Sequence, residues 1–165
     1  LNEAMKAHAD EIVREGRFQV IWQTGKYYER EMDEFMRGRD ARGIWRGAFI
    51  ERMDLAYAAA DVVVARSGAG TVSELCLVGK AVVFVPSPNV AEDHQTKNAM
   101  ALADRGAALV VPDREAVARV FSEVGRLLAD DAVRSEMEKN IRALAVADSA
   151  DRVADEILKV VKRSE

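Results

Sequence analysis

The stretch VVVARSGAGTVSE, residues 62–74, constrains the fold more than any other part of this 165-residue chain. Its β-branched start is typical of a strand that is buried on both faces of a parallel sheet. The stretch then breaks at SGAG, residues 67–70, and continues as TVSEL, residues 71–75, which predicts the first turns of a helix. A strand, a glycine turn and a helix start in this order are typical of an α/β protein.

Apolar strand candidates alternate with amphipathic helix candidates along the rest of the chain. The strand candidates span residues 18–22, 43–49, 61–65, 81–85 and 107–111, and the helix candidates span residues 2–15, 26–37, 51–60, 71–78 and 93–105. Further helices follow, with breaks near Pro112, Asp130 and Asp148. This alternation predicts a single domain over residues 1–165, with a doubly wound, mostly parallel Rossmann-like sheet and helices on both faces.

The sequence also predicts two helix caps and the packing of the last helix. Gly79 is expected to be the C-cap of the helix that follows the glycine turn, and Asp93 is expected to be the N-cap of the next helix. The last helix carries Val153, Ile157 and Val160 on one face. We expect that face to pack against the domain rather than to bind a membrane.

Composition excludes several classes of protein. The chain has 24 basic and 28 acidic residues, a net charge of −4, and no basic block with interleaved aromatics, so a nucleic-acid partner is not expected. Cys76 is the single cysteine and fits a reducing, cytoplasmic compartment. Two histidines and one cysteine do not make a metal-ligand cluster, so we expect neither a metal nor a cofactor. The chain starts at Leu1 rather than at methionine, which suggests a piece of a longer protein.

The glycine turn has two interpretations. Ligands of open α/β sheets bind beyond the carboxyl ends of the strands, where unpaired N–H groups at a helix start favour phosphate. Alternatively, Gly68 and Gly70 only relieve backbone strain in a tight connection. The motif leaves both open, because Ser73 occupies the position of the third glycine in the dinucleotide pattern G-x-G-x-x-G. Our hypothesis is a nucleotide diphosphate bound on the backbone of residues 69–71.

Glu74 also has two interpretations. Residues 71–74, TVSE, match the capping box, in which the glutamate reaches back to the backbone at the helix start. As a ligand, the Glu74 carboxylate would accept hydrogen bonds from the two vicinal hydroxyls of a ribose. The residues alone favour the cap.

A second polar segment, residues 87–98, follows a buried strand and enters a helix. Its His94 and Asn98 are four residues apart, and Gln95 and Asn98 are three apart, so all three side chains can face one side. Amide and imidazole groups discriminate sugar hydroxyls by hydrogen bonding. A solvated helix start is the alternative for any one of these residues.

Two stretches carry a resemblance to a known family. They are RGAFIERMDLAYAAADVVVARSGAGTVSEL, residues 46–75, and GKAVVFVPSPNVAEDHQTKNAMALADRGAA, residues 79–108. With IWQTGK and LNEAMK upstream, the chain resembles the C-terminal half of the MurG-type glycosyltransferases of family 28, which have the GT-B fold. The R-S-G-A-x-T-x-S-E turn and the D-H-Q-x-x-N-A segment carry most of this resemblance.

The resemblance implies a donor site for UDP-N-acetylglucosamine (UDP-GlcNAc). Backbone N–H groups of residues 69–71 would hold the diphosphate, Glu74 would bind the ribose hydroxyls, and the Ile50 backbone would pair with uracil. His94 and Gln95 would read hydroxyls of the sugar, with Asn98 beside them. The implied substrate-binding residues are Ile50, Ser67, Gly68, Ala69, Gly70, Thr71, Glu74, His94, Gln95 and Asn98.

The resemblance also implies what a full-length enzyme would do. It would transfer GlcNAc from UDP-GlcNAc to lipid I, forming lipid II, as a peripheral protein on the cytoplasmic face of the membrane. The lipid I site and the catalytic base would lie in an N-terminal domain that is absent from this chain, so no catalytic residue is expected here and the chain alone should be inactive. Alternatives are a stand-alone donor-binding subunit of a two-chain transferase, a non-enzymatic nucleotide-binding module, and a UDP-GlcNAc epimerase.

Overall fold

The structure is a computed structural model in which residues 1–162 are described. The described strands are β1 Val20–Gln23, β2 Ile44–Gly47, β3 Val62–Ala65, β4 Ala81–Phe84 and β5 Leu109–Val110. The described α-helices are α1 Asn2–Glu15, α2 Glu29–Met36, α3 Met53–Ala59, α4 Ala69–Val78, α5 His94–Ala103, α6 Ala116–Ala129, α7 Asp131–Arg142 and α8 Ser149–Lys162. The single-domain prediction extends to residue 165, and its last three residues lie outside the described ones.

All strand pairings in the described chain are parallel, which confirms the predicted α/β class. The strands form two ladders, β1-β2 and β3-β4-β5. Within residues 1–162 no ladder joins β1 or β2 to β3, so the hydrogen-bonded sheet is divided where one continuous sheet was expected.

Strand β4 shows why helices cover both faces of the larger ladder. All four of its residues are buried, and successive side chains point to opposite faces. Val82 and Phe84 join a core cluster with residues of α4 and α5. Ala81 and Val83 join a second cluster with residues of α6 and α7. The continuous apolar run in β4 therefore reflects burial on both faces. Strand β3, for which the sequence predicted such burial, is only half-buried at all four of its residues.

The two predicted caps have different outcomes. Gly79 ends α4 in the left-handed conformation (φ 69°) and its N–H donates to the Leu75 carbonyl, so this prediction is confirmed. Asp93 is the N-cap residue of α5, as predicted, but its side chain makes no capping hydrogen bond to the helix backbone. Its Oδ1 accepts instead from the Thr96 hydroxyl at 2.7 Å. Asp93 and the preceding Glu92 both have positive φ, of 53° and 54°.

Helix α8 does not pack as the sequence suggested. Val153, Ile157 and Val160 are 60%, 58% and 64% exposed, and no α8 residue belongs to the core clusters of the described chain. The helical spacing of its apolar residues is real, but spacing does not determine which surface a helix meets. No helix among residues 1–162 is long and apolar enough to span a membrane.

Candidate functional site

The glycine turn lies between β3 and α4, and it is not a strained connection. Gly68 is the N-cap of α4 with φ −62° and ψ 151°, and Gly70 lies within the helix, so neither glycine has a positive φ. Apart from the neighbouring residues and the local helix backbone, a Cβ atom on either glycine would meet no atom of the described chain within 4 Å. The interpretation in which these glycines only relieve strain is therefore wrong, and the space beside the turn is open.

The start of α4 presents free backbone donors to that space. Residues at the first turn of a helix have N–H groups with no acceptor inside the helix. The first backbone hydrogen bond of α4 runs from the Val72 N–H to the Gly68 carbonyl, at 2.9 Å, so the N–H groups before Val72 lie ahead of the helical hydrogen-bond ladder. Within residues 1–162, the N–H groups of Ala69, Gly70 and Thr71 have no hydrogen-bond acceptor. They form a cluster of three donors at the positive end of the helix dipole.

The capping-box interpretation of Glu74 is also wrong. Helix α4 begins at Ala69, so Thr71 lies inside the helix and is not its N-cap. The Glu74 side chain turns instead toward α3, where its Oε2 accepts a hydrogen bond from the Tyr57 hydroxyl at 3.1 Å. The Glu74 carboxylate is exposed, one helical turn beyond the three free N–H groups.

Ser67 joins the glycine turn to the start of α5. It is fully buried, and its hydroxyl donates to the Gln95 carbonyl at 2.8 Å. The Ser67 carbonyl in turn accepts from Asn98 Nδ2 at 3.0 Å. The Gln95 Oε1 atom accepts from the Ser87 N–H at 2.9 Å, which adds the loop after β4. Residues predicted from two separate motifs are thus brought together at one edge of the sheet.

His94 is not part of this network. Its ring Nδ1 lies 2.8 Å from the Ala91 carbonyl, and because a carbonyl only accepts, Nδ1 carries the proton. In a neutral ring, Nε2 is then an acceptor, and it has no partner among residues 1–162. His94 is exposed, whereas Gln95 and Asn98 are half-buried, so the three side chains do not share one direction.

Ile50 lies after β2, with its N–H donating to Gln23 Oε1 at 3.0 Å. Its carbonyl has no hydrogen-bond donor in the described part of the chain. Gln23 is the last residue of β1, and sequence reasoning did not single it out. Its position directly after the predicted strand of residues 18–22 was the available signal, because ligands of open α/β sheets bind beyond the carboxyl ends of the strands.

Sequence reasoning also missed Tyr57 and Arg66. Burial, together with the negative charge and hydrogen bond of Glu74, raises the pKa of Tyr57 to about 12. Arg66 follows β3 and pairs with Asp113 at 2.5 Å, while the same Nη1 donates to the Val85 carbonyl at 3.0 Å. Arg66 thus ties the ends of neighbouring strands together. Two sequence features could have indicated them: Tyr57 is a single aromatic residue among alanines, and Arg66 is a single charged residue directly after a predicted strand.

No metal site is evident in the described chain. Within residues 1–162, no group of three or more His, Cys, Asp or Glu side chains is placed to hold an ion. The polar groups at this edge are the backbone N–H donors at the start of α4, the Glu74 carboxylate one turn further along the helix, and Gln95, which Ser67 links to the turn. These groups suit a phosphorylated, hydroxyl-rich ligand.

The parallel strands, the helices on both faces and the glycine turn define a Rossmann-like domain of the GT-B glycosyltransferase class. The structure is similar to the crystal structure of Acinetobacter baumannii MurG, with a TM-score of 0.77 and 29% identity over 95% of this chain. It shares its fold with the glycosyltransferase VinC, with a TM-score of 0.69 and 21% identity. The sequence matches the glycosyltransferase family 28 C-terminal domain over residues 1–153, and the chain belongs to that family.

Curated relatives agree with this family. One, from Parabacteroides distasonis, is 47% identical over 88% of this chain, and one from Bacteroides thetaiotaomicron is 45% identical over 98%. Both carry the name UDP-N-acetylglucosamine–N-acetylmuramyl-(pentapeptide) pyrophosphoryl-undecaprenol N-acetylglucosamine transferase. The chain spans only 39% and 44% of these two relatives, and 46% of the A. baumannii MurG chain.

Proposed function

We propose that this chain is the donor-binding domain of a transferase that moves GlcNAc from UDP-GlcNAc to lipid I, forming lipid II. The observation that carries the proposal is the cluster of three free N–H groups at residues 69–71, which faces open space beside an exposed carboxylate. The names of the relatives and the family match support the same substrates.

The diphosphate would bind at the start of α4. The N–H groups of Ala69, Gly70 and Thr71 would donate to phosphate oxygens, and the helix dipole would favour their negative charge. Gly68 would let the phosphate approach, since nothing in the described chain fills the space where its Cβ would lie. Negative charge builds up on UDP as the sugar leaves, so the same donors would stabilise the departing group.

The nucleoside would bind between Ile50 and Glu74. The free carbonyl of Ile50 would accept from uracil N3–H, while the Gln23 side chain keeps the Ile50 N–H occupied. The Glu74 carboxylate would accept from the ribose hydroxyls. A carboxylate close to a diphosphate is electrostatically unfavourable, and the ribose hydroxyls give it a function there.

The hydroxyl groups of the sugar would be recognised by side chains at the start of α5. Because Gln95 Oε1 is occupied by the Ser87 N–H, the free Nε2 of this amide would donate to a sugar oxygen. Because His94 Nδ1 donates to Ala91, its neutral Nε2 would accept from a sugar hydroxyl. Ser67 would fix Gln95 relative to the phosphate turn, because its hydroxyl donates to the Gln95 carbonyl and its own carbonyl accepts from Asn98 Nδ2.

The remaining half of the reaction would use groups outside this chain. An inverting transfer needs a base on the acceptor hydroxyl as well as stabilisation of the leaving group. We propose that an N-terminal domain supplies that base and the lipid I site, and that the whole protein works on the cytoplasmic face of the membrane. The chain alone should bind donor weakly and show no turnover.

Calorimetric titration with UDP-GlcNAc, UDP, GDP and NAD tests the proposal. We expect binding that is selective for the uridine ligands and at least about tenfold weaker in Glu74→Ala, a loss of about 1.4 kcal/mol. Glu136→Ala, which removes an exposed carboxylate on α7, is the matched control and should bind like wild type. Equal binding of all four ligands, or no binding of UDP at all, would contradict the proposal.

A further inference from the structure

We propose that Tyr57 is a positioning residue for the donor ribose, because it fixes one oxygen of Glu74 and leaves the other to receive the sugar hydroxyls. This inference rests on the proposed function and deepens it. Tyr57 lies in α3, before the strand that leads to the glycine turn, and it is 17 positions away from Glu74 in the sequence.

The Tyr57 hydroxyl is held at a defined place. Its ring packs against the core cluster that contains Leu75 and Val82, so the phenol cannot move freely. None of the residues of α3 is fully buried, and its Leu55 is 56% exposed. The ring of Tyr57 therefore anchors α3 to the core, while its hydroxyl reaches Glu74 Oε2 at 3.1 Å.

The direction of this hydrogen bond matters for the ligand. A phenol that faces a carboxylate donates, so one lone pair of Oε2 is used. The second oxygen, Oε1, has no partner within residues 1–162 and remains available to donors from a ligand. Burial and the Glu74 charge keep the pKa of Tyr57 near 12, so the phenol remains a donor at physiological pH.

Preordering is the physical reason why Tyr57 would affect affinity. An exposed glutamate populates many rotamers, and immobilising it on binding costs side-chain conformational entropy. A carboxylate already held by a hydrogen bond loses less freedom when the ribose arrives. The benefit appears only for ligands whose ribose hydroxyls contact Glu74.

A purely structural role makes a different prediction. If the hydrogen bond only tied α3 to α4, then Tyr57→Phe would lower stability and weaken every nucleotide by the same factor. The two roles are separated by comparing UDP with 2′,3′-dideoxy-UDP, which lacks both of the ribose hydroxyls that Glu74 would bind.

The experiment measures the dissociation constants of both ligands for wild type, Tyr57→Phe, Glu74→Gln and the double variant. In Tyr57→Phe we expect the preference for UDP over 2′,3′-dideoxy-UDP to fall by about three- to tenfold, with little change in 2′,3′-dideoxy-UDP affinity. The double variant should match Glu74→Gln alone, because the phenol acts through the carboxylate. Tyr27→Phe, at an 89% exposed tyrosine, is the control and should keep the wild-type preference.

The outcomes separate this inference from the proposed function. If Glu74→Gln loses the preference and Tyr57→Phe keeps it, the role of Tyr57 is overturned and the donor site stands. If neither variant changes the preference, or wild type does not bind UDP, the ribose contact itself is wrong and both proposals fail.

A titration without ligand tests the contact directly. Ultraviolet difference spectra between wild type and Tyr57→Phe report the ionisation of this tyrosine, expected at about pH 12. Glu74→Gln should lower this pKa by removing a negative charge, yet leave it above its ordinary value, because burial is the larger cause. An unchanged pKa in Glu74→Gln would show that the two side chains do not interact.

Discussion

Replacing Gly68 with alanine should affect folding stability and ligand affinity differently. Gly68 has φ −62° and ψ 151°, a conformation that any L-residue adopts without strain. The new methyl group would meet no atom of the described chain within 4 Å. The folded state therefore gains no backbone strain and the unfolded chain loses conformational freedom, which stabilises the variant by about 0.4–1 kcal/mol. Alanine is a poorer N-cap than glycine by a similar amount, so we expect the stability of Gly68→Ala to stay within about 1 kcal/mol of wild type.

Ligand affinity should fall although stability changes little. The methyl group would stand beside the N–H groups of residues 69–71, in the space that a bound phosphate needs. We expect UDP to bind at least about tenfold more weakly, which corresponds to about 1.4 kcal/mol. Urea unfolding gives the stability change and calorimetry gives the affinity.

Gly125→Ala is the matched control for this pair of measurements. Gly125 lies inside α6, and a Cβ there would also meet nothing within 4 Å in the described chain. Its replacement should raise stability by about 1 kcal/mol through helix propensity and leave UDP affinity unchanged. A loss of stability well above about 1 kcal/mol in Gly68→Ala would exceed the N-cap cost and refute the argument that the turn is unstrained. Unchanged UDP affinity would refute the close approach of the phosphate.

Three further predictions concern the scaffold of the site. Asn98→Asp should destabilise the fold by about 1–3 kcal/mol at neutral pH, because a carboxylate would face the Ser67 carbonyl where an N–H group now donates at 3.0 Å. That repulsion raises the folded-state pKa of the introduced carboxyl. Stability should therefore recover as the pH falls, because the protonated carboxyl can again donate to the Ser67 carbonyl. If urea unfolding shows no recovery of stability in acid, this prediction is contradicted. Gly79→Ala should cost about 1–2 kcal/mol in thermal or urea unfolding, since φ is 69° and a Cβ would collide with the Arg142 guanidinium; unchanged stability would show that the C-cap is not needed. Burial raises the pKa of the Cys76 thiol, so thiol reagents should label native protein slowly and unfolded protein fast; equal rates would show that the thiol is accessible.

Much of the fold follows from local properties that the sequence displays. Helix α1 spans residues 2–15 in the structure as it does in the prediction, because its apolar period and the terminating Gly16 are both local. Strand β4 was predictable because β-branched residues with no polar alternation indicate burial on both faces. Strand ends were less predictable: β5 pairs over Leu109–Val110 only, although residues 107–111 are apolar, since pairing depends on how far the neighbouring strand extends.

The sequence by itself determined the class of fold, the order of its elements and the two motifs that supply the candidate site. These depend on hydrophobic period, β-branching and the conformational demands of residues such as Gly79, which act over a few neighbouring positions. Only the tertiary structure decided that Tyr57 meets Glu74, that Ser67 bonds Asn98 across 31 positions, and that α8 leaves its apolar face exposed. Contacts between distant segments depend on how helices and strands cross. Those crossings are set by the packing of the whole core rather than by any local pattern.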